Sequence, residues 1–443
     1  MTLNPDGTMR LVRDVSPVKT FGKVTKVVGM VVEGRGIKAP LGSVCHVLSG
    51  DKSGKSIPVE VVGFREGTVL FMPYSEMRGI KPGSLITNSS SPPTFPVGNR
   101  FLGRAIDAFG TPLDRKDPVA ARDYYPLYAE PLNPLDRPRI DAPLDVGVRA
   151  VNGLLTLGRG QRVGIMSGSG VGKSTLMGMI ARYTTADVNV IALVGERGRE
   201  VVEFMEKELG PEGLARSVLV VATSDQSPLI RMRAAYAATA MAEFFRDQGK
   251  DVILMMDSVT RFAMAAREVG LAAGEPPTTR GYTPTVFAHL PKLLERAGRS
   301  ASGSITGIYT VLVEGDDFNE PVADAVRSIL DGHIVLTREL ADQGHYPAID
   351  VLKSVSRLKT DVTDEAAQKA GRHLIKNLAT YVRVEDMVNI GAYQKGSNPE
   401  IDQALKLITP ILTFLQQSVD EHSPLDASFA ALKALAEKTR SKG

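Results

Sequence analysis

The segment Ser167-Gly168-Ser169-Gly170-Val171-Gly172-Lys173-Ser174 restricts the fold more than any other stretch of this chain. It is a glycine-rich loop ending in Lys-Ser, and it stands between two segments of opposite periodicity. The run Gln161–Met166 before it is short and apolar, as in a buried strand. After it, Leu176, Met179 and Ile180 fall on one helical face. A strand, a loop of this kind and a helix form a phosphate cradle. Its glycines let backbone N–H groups approach phosphate oxygens, which lie at the positive end of the helix. Lys173 is expected to reach the terminal phosphates, and the Ser174 hydroxyl to ligate Mg²⁺. The strict pattern opens with glycine, whereas Ser167 stands there in this chain.

Such a loop needs a parallel sheet around it, and the 443-residue chain is long enough for two or three domains. Residues 1–20 are polar and mixed, and are expected to form a flexible partner-binding arm. Residues 21–90 contain short β-like runs at Lys23–Val28, Val44–Leu48, Val59–Phe64, Thr68–Met72 and Ser84–Thr87, with glycines between them. That spacing predicts a small closed β-barrel. Residues 91–362 alternate between strand and helix. Expected strands are Arg162–Met166, Val188–Val194, Val218–Val221, Val252–Met256 and Thr306–Val313. A helix is expected from Pro228 to Gln248, with Ser227 as its cap. The proline-rich stretch Leu113–Leu144 is expected to lie on the surface. Residues 363–443 read as helical over Glu365–Tyr381, Glu400–Val419 and Asp426–Lys438. The fold class expected is multidomain α/β: an N-terminal β-barrel, a RecA-like P-loop domain on a parallel sheet, and a C-terminal helical domain.

The net charge of +3 gives no electrostatic case for nucleic-acid binding or membrane adhesion. Cys45 is the only cysteine, so no disulfide forms within the chain, which suits a reducing cytoplasm. No signal-peptide core is seen at the N-terminus, and no apolar run spans a bilayer.

A phosphate loop by itself implies only nucleotide binding; hydrolysis also needs acids and positive charge. Asp257 closes the apolar run Val252–Met256, where a carboxylate is placed to help organise magnesium. Glu196 follows the run Val190–Val194 and is placed to polarise an attacking water.

Longer motifs point further. They include Asn133-Pro134-Leu135-Asp136-Arg137, Gly195-Glu196-Arg197-Gly198-Arg199-Glu200-Val201 and Asp257-Ser258-Val259-Thr260-Arg261-Phe262. Arg280-Gly281-Tyr282-Thr283-Pro284, Leu293-Leu294-Glu295-Arg296-Ala297-Gly298 and Tyr346-Pro347-Ala348-Ile349-Asp350-Val351 belong with them. Together they resemble the catalytic subunits of type III protein export machines, relatives of the rotary ATP synthase subunits. Met72-Pro73-Tyr74 and Arg78–Ser84 resemble the flagellar branch more than the injectisome branch.

The resemblance implies a Mg²⁺-dependent, ATP-hydrolysing homohexamer with its sites between neighbours. It implies that Gly168, Ser169, Gly170, Val171, Gly172, Lys173, Ser174 and Thr175 hold the nucleotide, and that Ser174 and Asp257 serve the metal. By the same resemblance Glu196 activates water, and Arg197 and Arg261 line the γ-phosphate region. Tyr346 packs on adenine, and Arg357 is the arginine finger given to a neighbouring subunit. The implied partners are a dimeric regulator on the N-terminal arm, a coiled-coil stalk protein in the hexamer pore, export chaperones and the export gate. Membrane association is expected to be peripheral, through these partners, at the inner face of the cytoplasmic membrane. Asn152 stands where the family usually has aspartate. The competing readings are an injectisome ATPase, a rotary synthase subunit, an RNA-translocating hexamer and a non-catalytic nucleotide-binding subunit.

Overall fold

The computed structural model describes residues 20–49, 56–88, 92–313 and 320–437. The expected N-terminal arm lies outside them. The chain divides into two compact units, residues 1–93 with 268–276, and residues 94–267 with 277–443.

The first unit is a closed antiparallel barrel of six strands. Around it run Phe21–Val28, Val31–Arg35, Thr68–Pro73, Ser56–Arg65, Val44–Leu48 and Leu85–Asn88, and the last pairs with the first. Closure leaves no free strand edge. Val24, Val32, Val47, Val59, Phe71 and Ile86 fill its interior. The strand Val31–Arg35 was not anticipated, because Gly29, Gly34 and Gly36 break up its apolar pattern. Gly34 is required there: a Cβ would fall 2.4 Å from Ile86 Cδ1.

The second unit is built on a mainly parallel sheet. Its order is Val355–Ser356, Gly332–Leu336, Arg162–Ser167, Ser304–Leu312, Asp251–Asp257, Val188–Val194, Ser217–Ala222 and Arg104–Ile106. Among the described residues, only Val355–Ser356 and the short Gly298–Arg299 run antiparallel within it. The inner strands are buried on both faces, since helices cover them on either side. Pro228–Asp247 is one such helix, and Ser227 Oγ accepts from Ile230 N at its start.

Three helices, Glu365–Asn389, Pro399–Leu415 and Leu425–Glu437, complete this unit. Leu374, Ile411, Phe414 and Leu432 join the same core as Val151 and Ile165. Asn152 connects the two parts. Its buried amide donates to Asp145 Oδ1 (2.7 Å) and to the Ser423 carbonyl (3.0 Å). Both partners are acceptors, which suits an amide and not a carboxylate.

The stretch Leu113–Leu144 does not lie wholly on the surface. Asp123–Pro126 pairs with Thr94–Val97, and Leu127 is fully buried. Arg296, itself without exposure, donates to the Leu127 carbonyl and to both oxygens of Glu243. That ion pair needs an acceptor from the proline-rich stretch, a contact that local sequence does not encode.

Candidate active site

Most of the residues singled out from sequence gather at the C-terminal ends of adjacent parallel strands, where ligands bind in open α/β sheets. The phosphate loop leaves Ser167 and enters the helix Lys173–Tyr183. Gly172 caps that helix with φ +91°, a left-handed conformation that a side chain would strain. The loop borders a cleft of about 560 Å³. Gly168, Ser169, Gly170, Gly172, Lys173, Ser174 and Thr175 line it, as do Glu196, Arg197 and Arg261. Val171 points into the core instead, 2% exposed.

Lys173 Nζ donates to Asp257 Oδ1 (2.5 Å) and stands 3.8 Å from Glu196 Oε1. Asp257 is almost fully buried at the end of its strand, and Thr310 Oγ1 donates to the same Oδ1 (2.7 Å). A buried carboxylate that accepts from a cation and a hydroxyl is held in place. Glu196 ends the neighbouring strand register, where Leu193 lies beside Asp257. Its backbone carbonyl accepts from Ser224 N (3.0 Å). Gly195, at φ +75°, lets the chain turn here; a Cβ would meet Arg261 Cβ at 2.9 Å.

Electrostatics act strongly on Glu196. Burial pushes the Glu196 carboxyl up to about 7, the negative charge of Asp257 adds to this, and Lys173 opposes it. A hydrogen bond with Glu200 raises it further, and the same bond holds the Glu200 carboxyl below its ordinary range. A carboxyl poised near neutrality in a cleft is a general-base candidate. Glu200 was not anticipated as a site residue. The signal was available: Glu200 closes a capping box with Arg197 at the helix Gly198–Glu203, one turn from Glu196.

The arginines differ in placement. Arg197 is at the rim, with its side chain 76% exposed and 3.6 Å from Glu200. Arg261 is half-buried and lines the cleft, and its Nε is buried with no hydrogen-bond partner among the described residues. Arg338, not anticipated, also lines the cleft and donates from Nη2 to the Ser169 carbonyl (3.0 Å). Tyr346 is half-exposed outside the lining, and its ring lies 3.8 Å from where a Cβ on Gly172 would stand.

Arg357 is not brought to the cleft. It follows the edge strand Val355–Ser356, whose Ser356 pairs with Gly332 at the start of the strand Gly332–Leu336. Leu336, at the end of that strand, lies beside Ser167. Arg357 itself lies beside Asp331, one residue further, so at about 3.3 Å per residue it sits roughly 16 Å down the sheet from the level of Leu336 and Ser167. Its side chain is exposed on the outer edge.

The donor set fits a magnesium ion that depends on the nucleotide. Ser174 and Asp257 offer two hard oxygen ligands. Among the described residues no group of three or more His, Cys, Asp or Glu side chains can hold a metal by itself. Phosphate oxygens would have to complete the coordination.

Residues 147–356 match the nucleotide-binding domain of the ATP synthase alpha/beta family, and residues 363–434 match the T3SS EscN ATPase C-terminal domain. The chain is 54% identical over 419 residues to the flagellum-specific ATP synthase of Bacillus subtilis (strain 168), spanning 94% of this chain and 95% of that one. It is 48% identical over 418 residues to the type 3 secretion system ATPase of Xanthomonas euvesicatoria, spanning 94% of each. The fold matches the assembled ATPase EscN of the enteropathogenic E. coli type III secretion system with a TM-score of 0.89. Identity there is 46%, over 94% of this chain and all of that one. A barrel, a P-loop domain on a parallel sheet and a helical C-terminal part define the ATP synthase alpha/beta class of nucleotide-hydrolysing proteins. Within that class the chain belongs to the flagellar and injectisome type III export ATPases.

Proposed function

We propose that the chain hydrolyses Mg·ATP at sites shared between neighbouring subunits of a homohexamer, and that hydrolysis drives protein export at the flagellar base. The convergence of Lys173, Glu196 and Asp257 on the phosphate loop, with Glu196 held near neutrality, carries this reading. The loop amides and Lys173 bind the phosphates, and Lys173 exchanges its bond to Asp257 for the nucleotide. Ser174 and Asp257 would hold Mg²⁺, which would neutralise phosphate charge. Glu196 accepts a hydrogen bond from the attacking water and orients it toward the γ-phosphorus. Arg261 and Arg197 face the phosphate end from the cleft wall and its rim. Tyr346 supplies the surface under adenine.

Arg357 serves the next subunit in this reading. It is exposed at the sheet edge and remote from its own loop, which supports a role in trans. An arginine supplied this way is worth about 10³–10⁵ in rate.

Flagellar export is favoured over the injectisome because the flagellum-specific relatives from Bacillus subtilis and Treponema pallidum are 54% and 52% identical. A solved structure of EscN includes its central stalk, EscO; we infer a stalk partner in the pore here too. The regulator on residues 1–20, the chaperones and the export gate remain proposed partners, as does peripheral placement at the inner face of the cytoplasmic membrane. Among the described residues no helix is long and apolar enough to cross a membrane.

The test is paired variants. Glu196→Gln is expected to bind ATP with near-native affinity and to lose hydrolysis, whereas Lys173→Ala is expected to lose binding. Hydrolysis by Glu196→Gln at the native rate would overturn the assignment. Restored motility in cells lacking their flagellar export ATPase, without restored injectisome secretion, would support the flagellar branch.

A further inference from the structure

The segment from Arg338 to Pro347 meets the phosphate loop at two points. At one end, Arg338 Nη2 donates to the Ser169 carbonyl (3.0 Å). At the other, the Tyr346 ring lies against Gly172. The two contacts fall three residues apart on the loop. Strand register makes this possible, because Leu336 runs parallel to Ser167 and both chains leave the sheet side by side. The short helix Arg338–Asp342 and a turn at Gly344 then bring Tyr346 back over the loop.

We propose that Arg338 is a positioning residue for the phosphate loop. A loop of this kind binds phosphate only when its N–H groups face the ligand and its carbonyls face away. A guanidinium bonded to the Ser169 carbonyl fixes the orientation of that peptide, and hence of the next N–H, at Gly170. A charge-assisted bond to a carbonyl holds more firmly than a neutral one. The same bond ties the segment bearing Tyr346 to the loop. Arg338 thus acts on the phosphate end of the nucleotide through Ser169, and Tyr346 acts on the base. This inference rests on the nucleotide reading above.

The experiment compares full-length wild type with Arg338→Ala, Arg338→Lys and Tyr346→Ala. It measures KM and kcat for ATP, and inhibition by inorganic tripolyphosphate, which has no base. Arg338→Ala is expected to raise KM and to weaken tripolyphosphate alike, each by about tenfold, the scale of one charge-assisted bond. Its kcat should stay within about twofold of wild type, because hydrolysis itself uses Glu196 and Arg357. Lysine keeps a charged donor, so Arg338→Lys is expected to recover most of the loss. Tyr346→Ala should weaken ATP and leave tripolyphosphate unchanged. The proposal is overturned if Arg338→Ala leaves tripolyphosphate inhibition intact, or if kcat collapses at constant KM. Failure of Arg338→Lys to recover function, with an unaltered thermal melt, also overturns it. Direct calorimetric titration of wild type with tripolyphosphate does not depend on hydrolysis, so failure of the nucleotide reading itself would be seen separately.

Discussion

Glu200 contributes to the pH at which Glu196 works. The Glu196 carboxyl sits at about 7, first because it is buried, then because Asp257 is close, and then through its hydrogen bond with Glu200. If ionised Glu196 orients the water, kcat/KM follows its ionised fraction in the free enzyme. That fraction is about one tenth at pH 6, one half at pH 7 and nine tenths at pH 8. Wild-type kcat/KM is therefore expected to rise about tenfold between pH 6 and 8. Glu200→Ala removes both the shared proton and a like charge. The inflection should move to lower pH, yet stay above the ordinary carboxyl value, since burial and Asp257 remain. Initial rates of phosphate release at subsaturating Mg·ATP, taken from about pH 5.5 to 8.5, provide the assay. The nucleotide's own titration is common to both proteins and cancels in the comparison. A flat wild-type profile between pH 6 and 8, or an inflection that Glu200→Ala leaves unmoved, would refute the reasoning.

Other outcomes follow from the same geometry. Arg296→Ala leaves Glu243 charged and buried with no cation, and is expected to destabilise the chain by about 3–5 kcal/mol in urea unfolding. Arg296→Met together with Glu243→Leu should cost much less, because no uncompensated charge remains. Loss of the Tyr346 ring should weaken ATP binding by about 1–3 kcal/mol, the range for a base on an aromatic face, as read by titration with a fluorescent ATP analogue.

The parts of the site that could be read from sequence are those fixed by short-range pattern. The phosphate loop needs its glycines and Lys173 in one contiguous run. Asp257 and Glu196 stand out because each ends an apolar strand, and parallel strands bring such ends together. Ser227 and Pro228 mark a helix start by themselves. What escaped depends on distant pairings. Arg338 reaches the loop only because Leu336 lies beside Ser167, a register no local pattern states. The strand Gly332–Leu336 is too short to stand out by its periodicity. Leu127 is buried because Arg296, more than 150 residues away, donates to its carbonyl. Arg357 is the reverse case: its own fold leaves it apart from the cleft, and the place proposed for it is at a second subunit's site.

That composite site is the central claim, and mixing two inactive proteins tests it most directly. Glu196→Gln keeps a sound Arg357, and Arg357→Ala keeps a sound Glu196. Mixed under conditions in which subunits assemble and exchange, they should form some interfaces with both residues intact. ATP hydrolysis is then expected to reappear and to rise steeply with protein concentration. If the mixture stays as inactive as either variant alone, while wild type and variants mixed the same way do assemble together, each chain carries a complete site and Arg357 does not act in trans.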